Sequence, residues 1–416
     1  MKSITIHGCF DPIATYEKLQ DKSLLGEFSF IYENKEIFCI GFRPRCEIRL
    51  QNDQWILKRR DAPLEEIPSK SPFCELRHIV KKLGNEWSLF GYISFDVSKY
   101  CYNYANTSNL PLIEFIQPGV QILFYSDRCQ IMSNNPECYA NYLVTASREP
   151  QESVDIIECD LSDVKDKEKF IEKVCRSQKL IAQDIAKKII ISRTKHYELH
   201  LRPSELYSHY RHLNKSSSNF LLEYSGRKII GCSPEVLLSS DSERVSTNLL
   251  AGTRPRDIDP MRDQYLRSEL LSDEKEVYEH ALSVLAAYGE MKIFCLPEKV
   301  HVDRFMEIKE YSGVRHIFSR LTGVYQEGKD MFDALQTLFP AITVSGVPKD
   351  VAIKHIREIE NTSRALYAGV VGYLDSDERC EFPIAIRCIF SEEKNHYYIQ
   401  AGAGIMRASN PLNEFN

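Results

Sequence analysis

The chain has 416 residues, of which 43% are hydrophobic and 27% charged; this is a globular composition, too apolar for a disordered chain, in a length beyond one ordinary domain. Its 53 basic and 59 acidic side chains give a formal net charge of −6 and are well mixed, with no basic block for nucleic acid and no acidic tail. The start, MKSITIHGCFDPIATYEKLQ, lacks the apolar run of a secretion signal, and no apolar stretch reaches the roughly 20 residues that span a bilayer. The 13 cysteines, odd in number and without a CxxC pair, read as reduced thiols of a cytoplasmic protein.

Up to about residue 155, short apolar runs alternate with turn clusters. FSFIYE, EIFCIGF and WSLFGYISFD read as strands, and NTSNLPLIEFIQPGVQILFY places its prolines at strand edges. The polar, acidic stretch 149–165 reads as a surface connection. Near-helical spacing of Phe170, Val174, Ile181 and Ile185 predicts a helix over about 166–184, running into the β-branched strand KKIIISR. The spacings His196/His200 and His209/His212 lack a third ligand nearby and read as surface histidines. RKIIGCSPEVLLSS and RVSTNLLAGTRPR are strand-turn units. A second helix is expected over about 272–288, with Val277, Ala281, Val284 and Tyr288 on one stripe. VAIKHIREIE then reads as helix, and ALYAGVVGYLD, FPIAIRCIF and HYYIQAGAGIM as strands, with no internal repeat.

Several segments carry residues with more than one reading. In SDEKEVYEH, Glu276 and Glu279 are helix neighbours, expected off the apolar stripe beside His280. They form either a solvated acidic face or part of a site for a hard cation such as magnesium, which needs a second acidic segment. In LAGTRPR, small residues beside Thr253 and Arg254 let amides and a hydroxyl approach an anion; an ordinary turn explains them equally. Lys188 heads a buried-looking strand, facing solvent or desolvated and poised as a base. Glu235 follows a proline in CSPEVLL, a strand-edge charge or a placed acid. FPAITVSGVPK breaks the chain and then opens a helix, whose free amides would suit an anion.

Taken in order, Lys188, Glu235, LAGTR, EKEVYEH, FPAITVSGVPK and AGAGI resemble the chorismate-using enzymes: anthranilate synthase large subunits, aminodeoxychorismate synthases, isochorismate synthases and salicylate synthases. The resemblance is strong from about residue 165 onward and weaker before it, where GYISFD matches the N-terminal half. It implies an α+β fold, a single large unit of layered antiparallel sheet surrounded by helices. Residues 1–155 would form its strand-rich N-terminal half and 156–416 its chorismate-binding catalytic region. It implies magnesium on the ring carboxylate of chorismate, with Glu279 as ligand and Glu276 and Glu414 in support. Gly402 and Gly404 resemble a backbone-amide anion site. Gly252 and Thr253 resemble the contact to the ring carboxylate, and Tyr367 and Arg387 the grip on the enolpyruvyl carboxylate, which an arginine fork suits.

The resemblance also addresses the branch of the family. Ammonia-using members typically carry glutamine five residues before the strand's arginine, here Arg193; this chain has Lys188, as in the water-using members. There lysine is the base toward water and a glutamate, here Glu235, protonates the departing hydroxyl, each with a pKa moved toward neutrality. Thr343 in FPAITVSGVPK and His316 in SGVRHIFS resemble the salicylate synthase form. The expectation is therefore a salicylate synthase, acting through isochorismate and releasing pyruvate, for siderophore-type biosynthesis and without a glutamine amidotransferase partner. The alternatives are an isochorismate synthase, an ammonia-using anthranilate or aminodeoxychorismate synthase component, and an inactive chorismate-binding paralogue. The last arises because the family's terminal helix carries a second metal glutamate three residues beyond the position of Glu414. The sequence stops at Asn416, so that helix is expected to be missing, the metal held weakly and part of the pocket wall lost.

Overall fold

The computed structural model describes residues 1–60, 62–104, 110–146, 164–214 and 216–415. Most of the acidic stretch 149–165, and the expected boundary at 155, lie outside these residues. Among the described residues, twenty strands join in one continuous sheet, paired antiparallel, with helices packed against it. This is the α+β architecture expected. FSFIYE forms the strand Phe28–Glu33, and the core of WSLFGYISFD forms Ser88–Ile93. Alternating burial does not mark either strand: five of six residues in each are buried, because both faces are covered.

Sequence-distant strands are interleaved. Phe28–Glu33 pairs with Ser218–Tyr224, and Ser88–Ile93 pairs with Val370–Asp375. One large apolar cluster accordingly takes Phe30, Phe90 and Phe115 from the first part of the chain and Phe220, Phe382 and Ile353 from the second. The helix expected over 166–184 spans Val164–Ala182. The second expected helix is longer than its apolar stripe suggested, Glu274–Phe294, and begins where the Asp273 carboxylate accepts from the amides of Lys275 and Glu276. Among the described residues no helix is long and apolar enough to cross a membrane, and the described cysteines are free thiols.

Three strands and one helix position the residues singled out above. The Lys188 strand, Lys188–Glu198, pairs with the AGAG strand, His396–Ile405, setting Gly402 opposite Ser192 and Gly404 opposite Ile190. The strand Arg244–Pro255 pairs with Val314–Val324, setting Thr253 opposite His316 across a bulge at Gly252. The acidic helix Glu274–Phe294 packs against both strands of that second pair.

Candidate active site

The buried face of the acidic helix is not its apolar stripe. Val277, Ala281 and Tyr288 are only half-buried, whereas Glu276 and Glu279 are 9% and 6% exposed and His280 is fully buried. The glutamates do lie off that stripe, but the stripe is not the buried face, so the solvated-face reading is corrected. Carboxylates can occupy an interior face because cations meet them there. Lys188, fully buried, donates from Nζ to Glu279 Oε1 at 2.9 Å and to Ser283 Oγ at 3.0 Å. Lys275 lies on the other Glu279 oxygen at 3.4 Å. Burial pushes the Glu279 carboxyl up, but Lys188 and Lys275 outweigh it and hold it below the usual range.

Glu276 takes the amide of Thr253 at 3.2 Å and the Arg254 guanidinium at 3.3 Å. The anion approached by LAGTR is thus the protein's own carboxylate. Arg254 is saturated by Glu269 and Asp273 as well. The bulge that brings the Thr253 amide there needs Gly252, whose φ of 80° lies in the left-handed region; a side chain would also meet Ile317 and the Glu276 carboxylate.

Glu235, 2% exposed, sits just before the strand Val236–Ser240. Its Oε1 accepts from Thr343 Oγ1 at 2.7 Å and from the Leu250 amide at 3.1 Å. Burial raises its pKa to about 7, against the opposing pull of those two donors and of Lys188 and Arg387. Its carboxyl is thus buried rather than a strand-edge charge in solvent, and it exchanges its proton near neutrality. Thr343 therefore touches the acid itself.

His316 joins Thr253 to Arg387. Its Nδ1 is 2.9 Å from Thr253 Oγ1, and Arg387 donates to Nε2. An accepting Nε2 assigns the proton to Nδ1. Burial and the Arg387 charge lower the His316 pKa to about 3, so the ring is neutral. Arg387 stacks on Tyr311 at 4.9 Å and takes a φ of 51°, a strained conformation for this residue. Tyr367 belongs to a different contact set, beside Arg364 and Gly402, where a Cβ at Gly402 would stand 2.7 Å from its hydroxyl.

The AGAG strand approaches the carboxylates closely: a Cβ at Gly404 would stand 2.1 Å from Glu279 Oε1. Pairing with Cys388–Glu393 ends at Ile399, while pairing with the Lys188 strand runs to Ile405. Gly402 and Gly404 therefore have one edge without a strand partner among the described residues, as an amide anion site requires. FPAITVSGVPK does not supply such amides: those of Val344 and Ser345 bond to Ala341 and Ile342, and Gly346–Val347 pairs with the Lys188 strand.

The chain's last described segment is helical, against expectation. Pro411–Phe415 is a short helix whose first amides are accepted by Asn410 Oδ1. Packing supplies what length does not: Phe415 lies 6.0 Å from Phe170 and 3.9 Å under the Arg193 guanidinium. Glu414 is thereby delivered to Lys275 Nζ at 3.1 Å. No group of three or more His, Cys, Asp or Glu among the described residues is arranged to chelate a metal; Glu276, Glu279 and Glu414 instead converge on Lys275. Their hard oxygen donors suit magnesium by chemistry, and an ammonium already stands among them. His196, His200 and His212 are exposed, as read, whereas His209 is half-buried. Sequence reading missed Lys275, Ser283 and Tyr311. Lys275 had a signal, its position four residues before Glu279, where a lysine and a glutamate meet on a helix.

The chain matches the chorismate binding enzyme family over residues 25–416. It belongs to that family. The relative from Archaeoglobus fulgidus named anthranilate synthase component 1 is 33% identical over 98% of this chain and 95% of its own length. The one from Methanothermobacter thermautotrophicus with the same name is 30% identical over 99% and 88%. The Streptomyces coelicolor relative, also so named, is 40% identical over 59% of this chain but spans only 48% of that protein. Among solved structures, anthranilate synthase component I from Streptococcus pneumoniae superposes with a TM-score of 0.74 at 24% identity, covering 97% of this chain and 94% of its own. MenF, the menaquinone-specific isochorismate synthase of Escherichia coli, gives 0.74 at 18%, covering 100% and 91%. These structures share the fold. The chain is a chorismate-utilising enzyme by family.

Proposed function

We propose that the chain adds ammonia to the chorismate ring as the ring hydroxyl departs as water, and then releases the enolpyruvyl group as pyruvate to leave anthranilate, as a component of anthranilate synthase type. The observation that carries this reading is the likeness, over nearly its whole length, to relatives named anthranilate synthase component 1. The geometry is compatible. Glu235, with a pKa of about 7, gives a proton to the departing hydroxyl so that it leaves as water. Lys188 donates to Glu279 and Ser283, the role of a counter-charge, so a lysine at this position does not by itself demand water as nucleophile. Arg387 and the neutral His316 orient one carboxylate of the substrate, and the open edge at Gly402 and Gly404 faces the other. Glu276, Glu279 and Glu414 would hold magnesium, which neutralises the ring carboxylate when bound. The relatives' designation, component 1, implies a second component, so this reading replaces the expected absence of a glutamine amidotransferase partner.

Lys188 itself favours a second reading. Released from Glu279, its amine would serve as base toward water, and the product would be isochorismate, or salicylate after loss of pyruvate. One experiment separates the two: the chain is incubated with chorismate and magnesium, with and without ammonium, and the products are resolved by chromatography. Anthranilate formed only with ammonium supports the first reading. Isochorismate or salicylate formed without it supports the second. Unchanged chorismate under both conditions overturns both.

A further inference from the structure

Lys275 is the second residue of its helix, directly before Glu276 in sequence. Adjacent helical residues do not face one another, so its side chain must fold across the helix end to meet its own neighbour. It does so, reaching Glu276 Oε1 at 3.1 Å, Glu279 Oε2 at 3.4 Å and Glu414 Oε1 at 3.1 Å. The carboxylates come from two segments more than a hundred residues apart in sequence, and each is buried or nearly so. Other cations serve them singly: Lys188 serves Glu279 and Arg254 serves Glu276. Among the described residues, Lys275 is the cation common to all three. The first turn of a helix is an unfavourable place for a positive charge, so it is the carboxylates that hold this one in place.

We propose that Lys275 is a placeholder cation: its ammonium occupies the divalent-metal position between Glu276, Glu279 and Glu414, keeps the three carboxylates together without metal, and leaves toward solvent when the metal binds. This rests on the metal reading given above. The two cations cannot share the cradle, because the carboxylate oxygens that would coordinate the metal already face the ammonium and the like charges repel. The lysine stem is flexible, and its side chain remains 18% exposed, which gives it a way out. Metal affinity is therefore set by competition within the protein as well as by the number of carboxylates.

The test uses the 416-residue chain without substrate and manganese(II) as probe, with free metal read by electron paramagnetic resonance. The expected result is that Lys275→Gln binds manganese about tenfold tighter than the unsubstituted chain, since one competing charge is gone. The same variant melts lower without metal and shows a larger rise in Tm when metal is added. Lys275→Met, judged folded by circular dichroism, is the second variant and is expected to behave alike. Manganese bound equally or more weakly by both variants overturns the placeholder role. Glu279→Gln separates this outcome from failure of the metal site itself: if it binds manganese as well as the unsubstituted chain, the metal reading falls, and the proposal falls with it.

Discussion

Glu235 shows most directly how burial turns a common side chain into a chemical group. Its ordinary pKa of 4.5 rises to about 7, so between these values the folded chain holds a proton that the unfolded chain releases. The unfolded state then binds fewer protons, and stability falls as pH rises from about 4.5 to 7. The whole cost, about 3 kcal/mol at 1.36 kcal/mol per pKa unit, is present above pH 7 and absent below 4.5. Glu235→Gln removes it while keeping an acceptor for Thr343. Urea unfolding at pH 5 and pH 8 is expected to show the variant gaining about 3 kcal/mol relative to the unsubstituted chain at the higher pH, with chorismate turnover lost at both. The sequence told that Glu235 was a candidate acid, because CSPEVLL puts it beside an apolar run. It could not tell that Thr343 and the Leu250 amide would supply the hydrogen bonds, since both come from distant segments. Lys275 was harder: its spacing to Glu279 signals one contact, but in a run of charged residues at a helix start each reads as solvated, and the sequence does not bring Glu414 beside it.

The elements around the carboxylates leave little freedom. The AGAG strand carries glycine at position 404 because Glu279 occupies the space a side chain would need. Gly404→Ala forces Glu279 aside and breaks its contacts to Lys188 and Lys275. Turnover is expected to fall about a hundredfold, the scale of a 1 Å misplacement at a reacting centre, with a stability loss of about 1–3 kcal/mol from overpacking. Steady-state kinetics with chorismate, beside thermal melting, checks both; normal turnover would mean that the strand is not part of the site. Strands such as KKIIISR and FSFIYE were legible because β-branched and aromatic runs have few other uses. The acidic helix was legible as a helix but not in its orientation, since its inward face mixes Glu276, Glu279, His280 and Ser283 with Val284 and Ala287. The short helix Pro411–Phe415 was read as impossible on length alone; its partners, Phe170 and Arg193, lie more than two hundred residues earlier.

At the scale of the whole molecule, the two halves read from the sequence share one sheet and one core. Ser218–Tyr224 lies between Phe28–Glu33 on one side and Arg227–Ser233 on the other, and Val370–Asp375 has Ser88–Ile93 along its length. Removing the first 163 residues would bare both of those edges, together with Phe220, Leu222 and Val371, all buried in the intact chain. Bare apolar edges pair with other chains. The shortened chain is therefore expected to aggregate, and the intact chain to unfold in one step. Calorimetry tests this directly. A single unit of 416 residues absorbs about 0.7 kcal/mol per residue near 60 °C, or about 290 kcal/mol in all, and its van't Hoff enthalpy should equal that calorimetric value. Two resolved transitions, or a van't Hoff enthalpy near half the total, would mean that the halves fold separately. A single transition would tie the catalytic groups to the N-terminal strands: Lys188, Glu235 and Glu279 would keep their relative positions only while the strands at 28–33 and 88–93 remain paired.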